Sequence, residues 1–130
     1  MAIVVLDASV AIAFLDAADR HHRGAVAALT RLQGSDMVLP AGAYAEMLVG
    51  PARRSRAAMD AAREFVIDLA LSVEPISAGI AERAAELRAA HRALKLPDAL
   101  VIATADALEA TLLLTADRTW TRVSRRAEMI

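Results

Sequence analysis

Residues 96–117 read Leu96-Pro97-Asp98-Ala99-Leu100-Val101-Ile102-Ala103-Thr104-Ala105-Asp106-Ala107-Leu108-Glu109-Ala110-Thr111-Leu112-Leu113-Leu114-Thr115-Ala116-Asp117, and they hold two elements of different character. Pro97 and Asp98 mark a helix start, because proline tolerates an early helical position and an acid in the first turn complements the helix dipole. The helix predicted over 98–109 is apolar nearly all round, which places it centrally. The run that follows, 111–115, is short and uniformly apolar, as in a strand covered on both faces of a parallel sheet.

Working outward, the same alternation recurs. Residues 3–6 (Ile-Val-Val-Leu) form a short buried strand and 9–17 a helix or turn. A helix over 20–33 carries Val26, Leu29 and Leu32 on one face and stops at Gly34-Ser35-Asp36. Residues 37–39 give a second strand. Pro40 and Gly42 bracket a helix bearing Tyr44, Leu48 and Val49, with Gly50-Pro51 as its expected end. A helix over 54–70 presents Ala58, Ala62, Phe65, Val66 and Leu69; Ser72–Ile76 is a strand. Ser77 caps a helix over 78–94 whose stripe is Ile80, Ala84, Leu87, His91 and Leu94. Residues 118–123 form a short helix, and Met129-Ile130 add a last strand. The sum is an α/β three-layer sandwich, with a central, mainly parallel sheet of about four to five short strands flanked by helices. Residues 1–130 make one domain, since the length is near the common domain size.

Composition narrows the function classes. With 57% hydrophobic and only 3% aromatic residues, the core is aliphatic. The absence of cysteine excludes disulfides and thiolate metal sites and points to a reducing, cytoplasmic setting. The apolar start has no basic flank and is interrupted by Asp7, unlike a signal peptide or membrane span. Net charge is −1, so the overall field does not announce a nucleic-acid binder. The basic residues, all arginine except Lys95, are clustered: Arg53, Arg54 and Arg56 in one group, and Arg118, Arg122, Arg125 and Arg126 in another. Arginine forks phosphate in a planar, bidentate way. Few aromatics leave little for base stacking, so any nucleic-acid recognition would rest on backbone and shape.

Four acids fall at element ends. Asp7 closes the first strand, Asp117 follows the strand 111–115, Asp98 opens the central helix, and Glu46 stands in the helix after the second strand. In open parallel sheets, ligands bind beyond the carboxyl ends of the strands. Asp7 and Asp117 lie on that edge, and Asp98 and Glu46 can reach it. Such a cluster repels itself unless a cation neutralises it, and all-oxygen ligands suit Mg²⁺ or Mn²⁺. Those ions serve phosphoester hydrolysis well. Singly, an acid after a strand or in a first helical turn is ordinary; the joint placement carries the argument. Asp106 follows Asp98 by eight residues, about 12 Å along the helix axis, and is expected to serve a buried polar or interface contact. His21, His22 and His91 read as structural, and no P-loop, zinc or dinucleotide motif is present.

Val5-Leu6-Asp7-Ala8-Ser9, Glu46, Leu96-Pro97-Asp98-Ala99 and Leu113-Leu114-Thr115-Ala116-Asp117-Arg118 together resemble the PIN-domain ribonucleases, in particular the small VapC-type toxins of bacterial toxin–antitoxin pairs. The resemblance implies a Mg²⁺- or Mn²⁺-dependent endoribonuclease acting on structured RNA such as tRNA or ribosomal RNA. It also implies inhibition by a cognate antitoxin and a homodimer. It makes Asp7, Glu46, Asp98 and Asp117 the metal site, with Ser9 and Thr115 as hydroxyls beside it. Arg118 is the leading phosphate contact, because it adjoins Asp117. Two alternatives stand against this reading: a PIN-like module that only binds a partner, and a phosphotransfer domain with Asp7 as nucleophile. A dehalogenase-type phosphotransferase expects an acid two residues after the nucleophile, where this chain has Ser9. A receiver-type domain expects a lysine after a late strand, where the only lysine, Lys95, precedes a helix.

Overall fold

The computed structural model describes residues 2–130, and its centre is a five-stranded, wholly parallel sheet. The chain runs β1 (Ile3–Leu6), α1 (Ala8–Leu15), α2 (His22–Arg31), β2 (Asp36–Pro40), α3 (Ala41–Arg54), α4 (Arg56–Asp68), β3 (Ser72–Glu74), α5 (Ala78–Ala90), α6 (Leu96–Ala107), β4 (Leu112–Thr115), a 3₁₀ helix (Arg118–Arg122) and β5 (Ala127–Met129). The strand order is β3-β2-β1-β4-β5. Successive strands therefore grow to one side of β1, and the chain then crosses back to build the other side from β4. The reversal falls between β1 and β4, where Val5 pairs with Leu113 and Leu6 with Leu114.

Consecutive residues of β1, β2 and β4 are buried, so both faces of the sheet are covered. The outer strands β3 and β5 are three residues each and largely exposed, which limits edge-to-edge pairing. Helix α6 packs over β1, β2 and β4. Its residues Val101, Ile102, Ala103, Thr104 and Ala105 are all buried, as its all-round apolar sequence predicts. With so few aromatics, the core fills with aliphatics plus Trp120, the largest fully buried side chain, and a tilted Phe14–Phe65 pair with centroids 5.2 Å apart.

Several local expectations shift. Gly50-Pro51 does not end α3: the helix continues to Arg54 with a buried Pro51 inside it, and the Ser55 amide donates to the Pro51 carbonyl at 3.2 Å. Proline forfeits one backbone bond there, and burying its ring offsets part of that loss. Val26 and Val49 are exposed; Ala25, Ala28, Ala43 and Met47 take the core positions of α2 and α3. Helix α5 stops at Ala90, and residues 91–95 form a connection into α6. The last strand is Ala127–Met129 and lies parallel to β4.

Helices α4 and α6 end without glycine. Ala70 and Glu109 adopt left-handed backbone with φ of 51° and 50°. The next amides, Leu71 and Ala110, reach back to the Val66 and Ala105 carbonyls at 2.9 Å, closing Schellman-type caps. No described helix is long and apolar enough to cross a membrane.

Candidate metal-binding site at the carboxyl edge of the sheet

The crevice between the ends of β1 and β4 is the point where an open parallel sheet presents a ligand site. Asp7 stands there because the β1 ladder runs one step past Leu6: the Asp7 amide donates to the Leu114 carbonyl at 3.0 Å. The residue is only 7% exposed, so its charge must be satisfied locally. Two hydroxyls do so on one oxygen: Ser9 Oγ donates to Asp7 Oδ2 at 2.7 Å and Thr115 Oγ1 donates to the same atom at 3.0 Å. Each hydroxyl is in turn an acceptor, Ser9 Oγ from the Ala116 amide and Thr115 Oγ1 from the Asp117 amide, both at 3.0 Å. Chained bonds of this kind polarise one another. The turn after β4 is thus tied through two hydroxyls to the carboxylate after β1, with the hydroxyl bonds concentrated on Oδ2.

The other acids arrive from three elements. Asp98 sits half-buried in the first turn of α6, which Lys95 and Pro97 introduce. Glu46 lies on α3, exposed overall. Asp117 is exposed and caps the 3₁₀ helix: its Oδ1 accepts from the Thr119 amide at 2.9 Å and from Thr119 Oγ1 at 2.6 Å.

Burial pushes the Asp7 carboxyl above the usual aspartate range, against the bonds from Ser9, Thr115 and the Ala8 backbone; the Glu46 charge adds to the rise. Asp98 is raised by desolvation and then by the Asp7 and Asp117 charges, with Lys95 opposing. Glu46 is raised by partial desolvation and by Asp98. The four acids therefore lie within one electrostatic neighbourhood, and their repulsion is the kind a cation relieves. Among the described residues, no three acidic or imidazole side chains stand close enough to form a ready-made ligand set. Mg²⁺ does not need one, because it keeps several waters and is held by one or two carboxylates plus substrate phosphate.

Beside Asp98 and Asp117 opens a cleft of about 510 Å³, whose walls include Arg92, Lys95, Thr119, Trp120 and Arg122. Arg118 does not line it. A 3₁₀ helix has three residues per turn, so residues three apart share a face. Thr119 and Arg122 face the cleft together, while Arg118 shares a face with Thr121, whose hydroxyl donates to the Arg118 carbonyl at 2.9 Å. Arg92 and Lys95 carried no signal along the chain beyond standing just before Asp98; only the fold of residues 91–95 brings them to the cleft. His91 lines the same cleft, whereas His22 Nδ1 donates to the Ala13 carbonyl at 2.8 Å and is a structural residue. Asp106 stands apart, pairing with Arg83 at 3.0 Å and Arg126 at 3.7 Å. A larger hollow, about 640 Å³, is at the opposite edge, where Ile3, Asp36 and Ser72 begin their strands, and is lined by none of the four acids.

The PIN domain family profile matches residues 4–126. Among solved structures, VapC20 of Mycobacterium tuberculosis, described as a sarcin–ricin loop cleaving toxin, is 20% identical over 92% of this chain and 93% of that one, with a TM-score of 0.76. FitAcB from Neisseria gonorrhoeae is 20% identical over 98% of this chain and 96% of that one, with a TM-score of 0.76. A toxin–antitoxin complex from Klebsiella pneumoniae is 22% identical over 96% of this chain and 95% of its counterpart, with a TM-score of 0.73. At these identities the likeness establishes the fold. No curated protein matches the sequence significantly.

Proposed function

The chain belongs to the PIN-domain family, and from that membership we propose that it is a divalent-metal-dependent endoribonuclease of the VapC toxin type, hydrolysing RNA phosphodiester bonds under the control of a cognate antitoxin. The observation that carries this reading is the switch-point constellation. A buried Asp7 is fixed by Ser9 and Thr115, and Asp98, Asp117 and Glu46 are electrostatically coupled around it.

The donor set suits a hard cation. All four groups are carboxylates, three of them are raised by desolvation and mutual repulsion, and no thiolate competes. Mg²⁺ or Mn²⁺ would be held by Asp7 and Asp98, with Asp117 and Glu46 contributing directly or through water. When bound, such an ion supplies positive charge at the phosphoryl oxygens and a water acidic enough to attack at neutral pH. The chain's own residues do the rest. Ser9 and Thr115 fix the orientation of the Asp7 carboxylate, as outer hydrogen bonds commonly do for ligating groups. Asp117 holds the start of the 3₁₀ helix, and with it the wall of the cleft. Arg118, exposed beside Asp117, adds positive charge along the approach of the RNA backbone.

The likeness to the toxin–antitoxin complex from Klebsiella pneumoniae supports an antitoxin partner. A tRNA or ribosomal RNA substrate, a homodimer and a cytoplasmic location follow from the same reading.

The test is cleavage of total tRNA and ribosomal RNA by the purified chain, with Mg²⁺, with Mn²⁺ and with chelator, beside Asp98→Asn. Metal-dependent cutting that disappears in the variant is expected. Cutting by Asp98→Asn at the wild-type rate would reject the assignment. A covalent phospho-aspartate at Asp7 would instead indicate a phosphotransfer enzyme.

A further inference from the structure

Of the fourteen arginines of this chain, only four pair with carboxylates among the described residues. Arg31, Arg63, Arg83 and Arg126 are committed to carboxylates in ion pairs. Arg92, Lys95 and Arg122 are exposed, make no ion pair among the described residues, and line a single cleft with Asp98 and Asp117. They come from two separate pieces of chain, the connection between α5 and α6 and the 3₁₀ helix after β4. Lys95 is near enough to Asp98 to oppose the rise of its carboxyl.

The opposite flank differs. The hollow beside Glu46 on α3 is lined by Ile12, Leu15, Asp16, Met47 and Pro51, with Arg54 its only cation. The acid site thus stands between a basic wall and a flank that is apolar and acidic. A polyanionic strand laid across it meets three cations on one side and only Arg54 on the other.

We propose that Arg92, Lys95 and Arg122 form a phosphate-binding wall that grips the RNA backbone on one side of the scissile bond, so that the strand is held asymmetrically about the acid cluster. The inference rests on the nuclease reading and deepens it by naming the residues that seat the substrate. Arg92 and Arg122 offer planar forks to phosphate oxygens, and Lys95 a compact point charge. The same wall sets direction: phosphates beyond the Arg122 side contribute to affinity, and those on the Glu46 side contribute little.

Binding separates this proposal from catalysis. In an Asp7→Asn background, which leaves the strand uncut, the affinity for a fluorescent single-stranded oligouridine is measured across a salt series. Counterion release contributes a slope of about 0.7 per phosphate contact on a single strand, so replacing Arg92, Lys95 and Arg122 together with alanine should lower the slope by about 2. Removing equal charge at Arg20, Arg23 and Arg63 should leave the slope unchanged. Lysine at positions 92 and 122 should restore most of it. On wild-type protein, once a cleavage site is mapped, shortening the RNA on one side of the cut should weaken KM, with little effect from the other side. The triple alanine variant should lose that difference.

An unchanged salt slope in the triple variant, or equal loss in the control, overturns the wall whether or not the protein cuts RNA. Failure of the wild-type protein to cut any RNA with Mg²⁺ or Mn²⁺ overturns the nuclease reading, and the binding slopes still decide whether the cleft grips phosphate.

Discussion

Thr115 and Asp7 are 108 positions apart, yet the Thr115 hydroxyl donates to Asp7 Oδ2 at 3.0 Å in a fully buried setting and at the same time accepts the Asp117 amide. One hydroxyl therefore bonds the carboxylate of Asp7 and the backbone of Asp117, two of the four acids of the proposed site.

Thr115→Val keeps the shape and removes the hydroxyl, leaving a buried carboxylate oxygen short of one donor and the Asp117 amide without its acceptor. Stability should fall by about 1–3 kcal/mol, measured by urea denaturation. Cleavage should fall roughly 10- to 100-fold, as for lost partners of metal-binding groups. Thr115→Ser should keep most of both, because the hydroxyl remains.

Asp98→Asn removes one charge from the cluster and should abolish cleavage while raising the thermal stability of the metal-free protein at neutral pH. The direction follows from the raised carboxyls of Asp7, Glu46 and Asp98, which make the native chain hold protons more tightly than the unfolded chain. Their contribution to stability is greatest when they are protonated. It declines as pH rises from the ordinary values, 3.8 for aspartate and 4.5 for glutamate, through the raised native values, and is level above them. The stability difference between Asp98→Asn and wild type should accordingly widen with pH across that window and then hold constant. A difference independent of pH would show that the carboxyl is not raised in the fold.

Mg²⁺ should stabilise the wild-type chain at neutral pH, by about 2.7 kcal/mol at a hundred times its Kd, and should do much less for Asp98→Asn. Trp120 is the only tryptophan and lines the cleft with Asp98 and Asp117, so its emission provides an optical record of the same titration. Equal stabilisation of the two proteins would place the ion elsewhere.

Asp106→Ala separates architecture from chemistry. Asp106 joins α6 to Arg83 of α5 and to Arg126 ahead of β5, and the buried Arg126 Nε has no hydrogen-bond partner. Its loss should cost about 1 kcal/mol of stability with unchanged RNA cleavage. A large loss of activity in a folded protein would return Asp106 to the site.

Ala70→Gly and Glu109→Gly should each stabilise the fold by up to about 1 kcal/mol, since both positions hold left-handed backbone that disfavours a Cβ. Thermal melts of the two single variants test this directly.

Much of this was legible along the chain because its signals are local. The apolar runs of β1, β2 and β4 and the all-round apolar α6 declare a sheet buried on both faces, and Ser77 caps α5 as its position predicts, accepting the Ile80 amide at 3.2 Å. The acids at strand ends follow from the same periodicity. Misread features involve competition between local preference and packing. Gly50-Pro51 reads as a stop, but the ring is buried and the helix runs on. Adjacency to Asp117 is visible along the chain for Arg118, whereas the place of Arg122 in the cleft wall depends on the three-residue turn of the 3₁₀ helix.

Local signals along the chain specified the element types and put Asp7, Asp98 and Asp117 at element ends and Glu46 in a helix, because backbone preference and hydrophobic period act over a few residues; Ser9 and Thr115 were singled out only by the family resemblance. The tertiary structure alone decided that Ser9 and Thr115 converge on one oxygen of Asp7, that Lys95 and Arg92 join Arg122 in one cleft, and that Asp106 turns to Arg83 and Arg126. Those relationships depend on the β1–β4 crossover and on the path of the connection between α5 and α6, which bring distant residues together through burial rather than through any preference the neighbouring residues express.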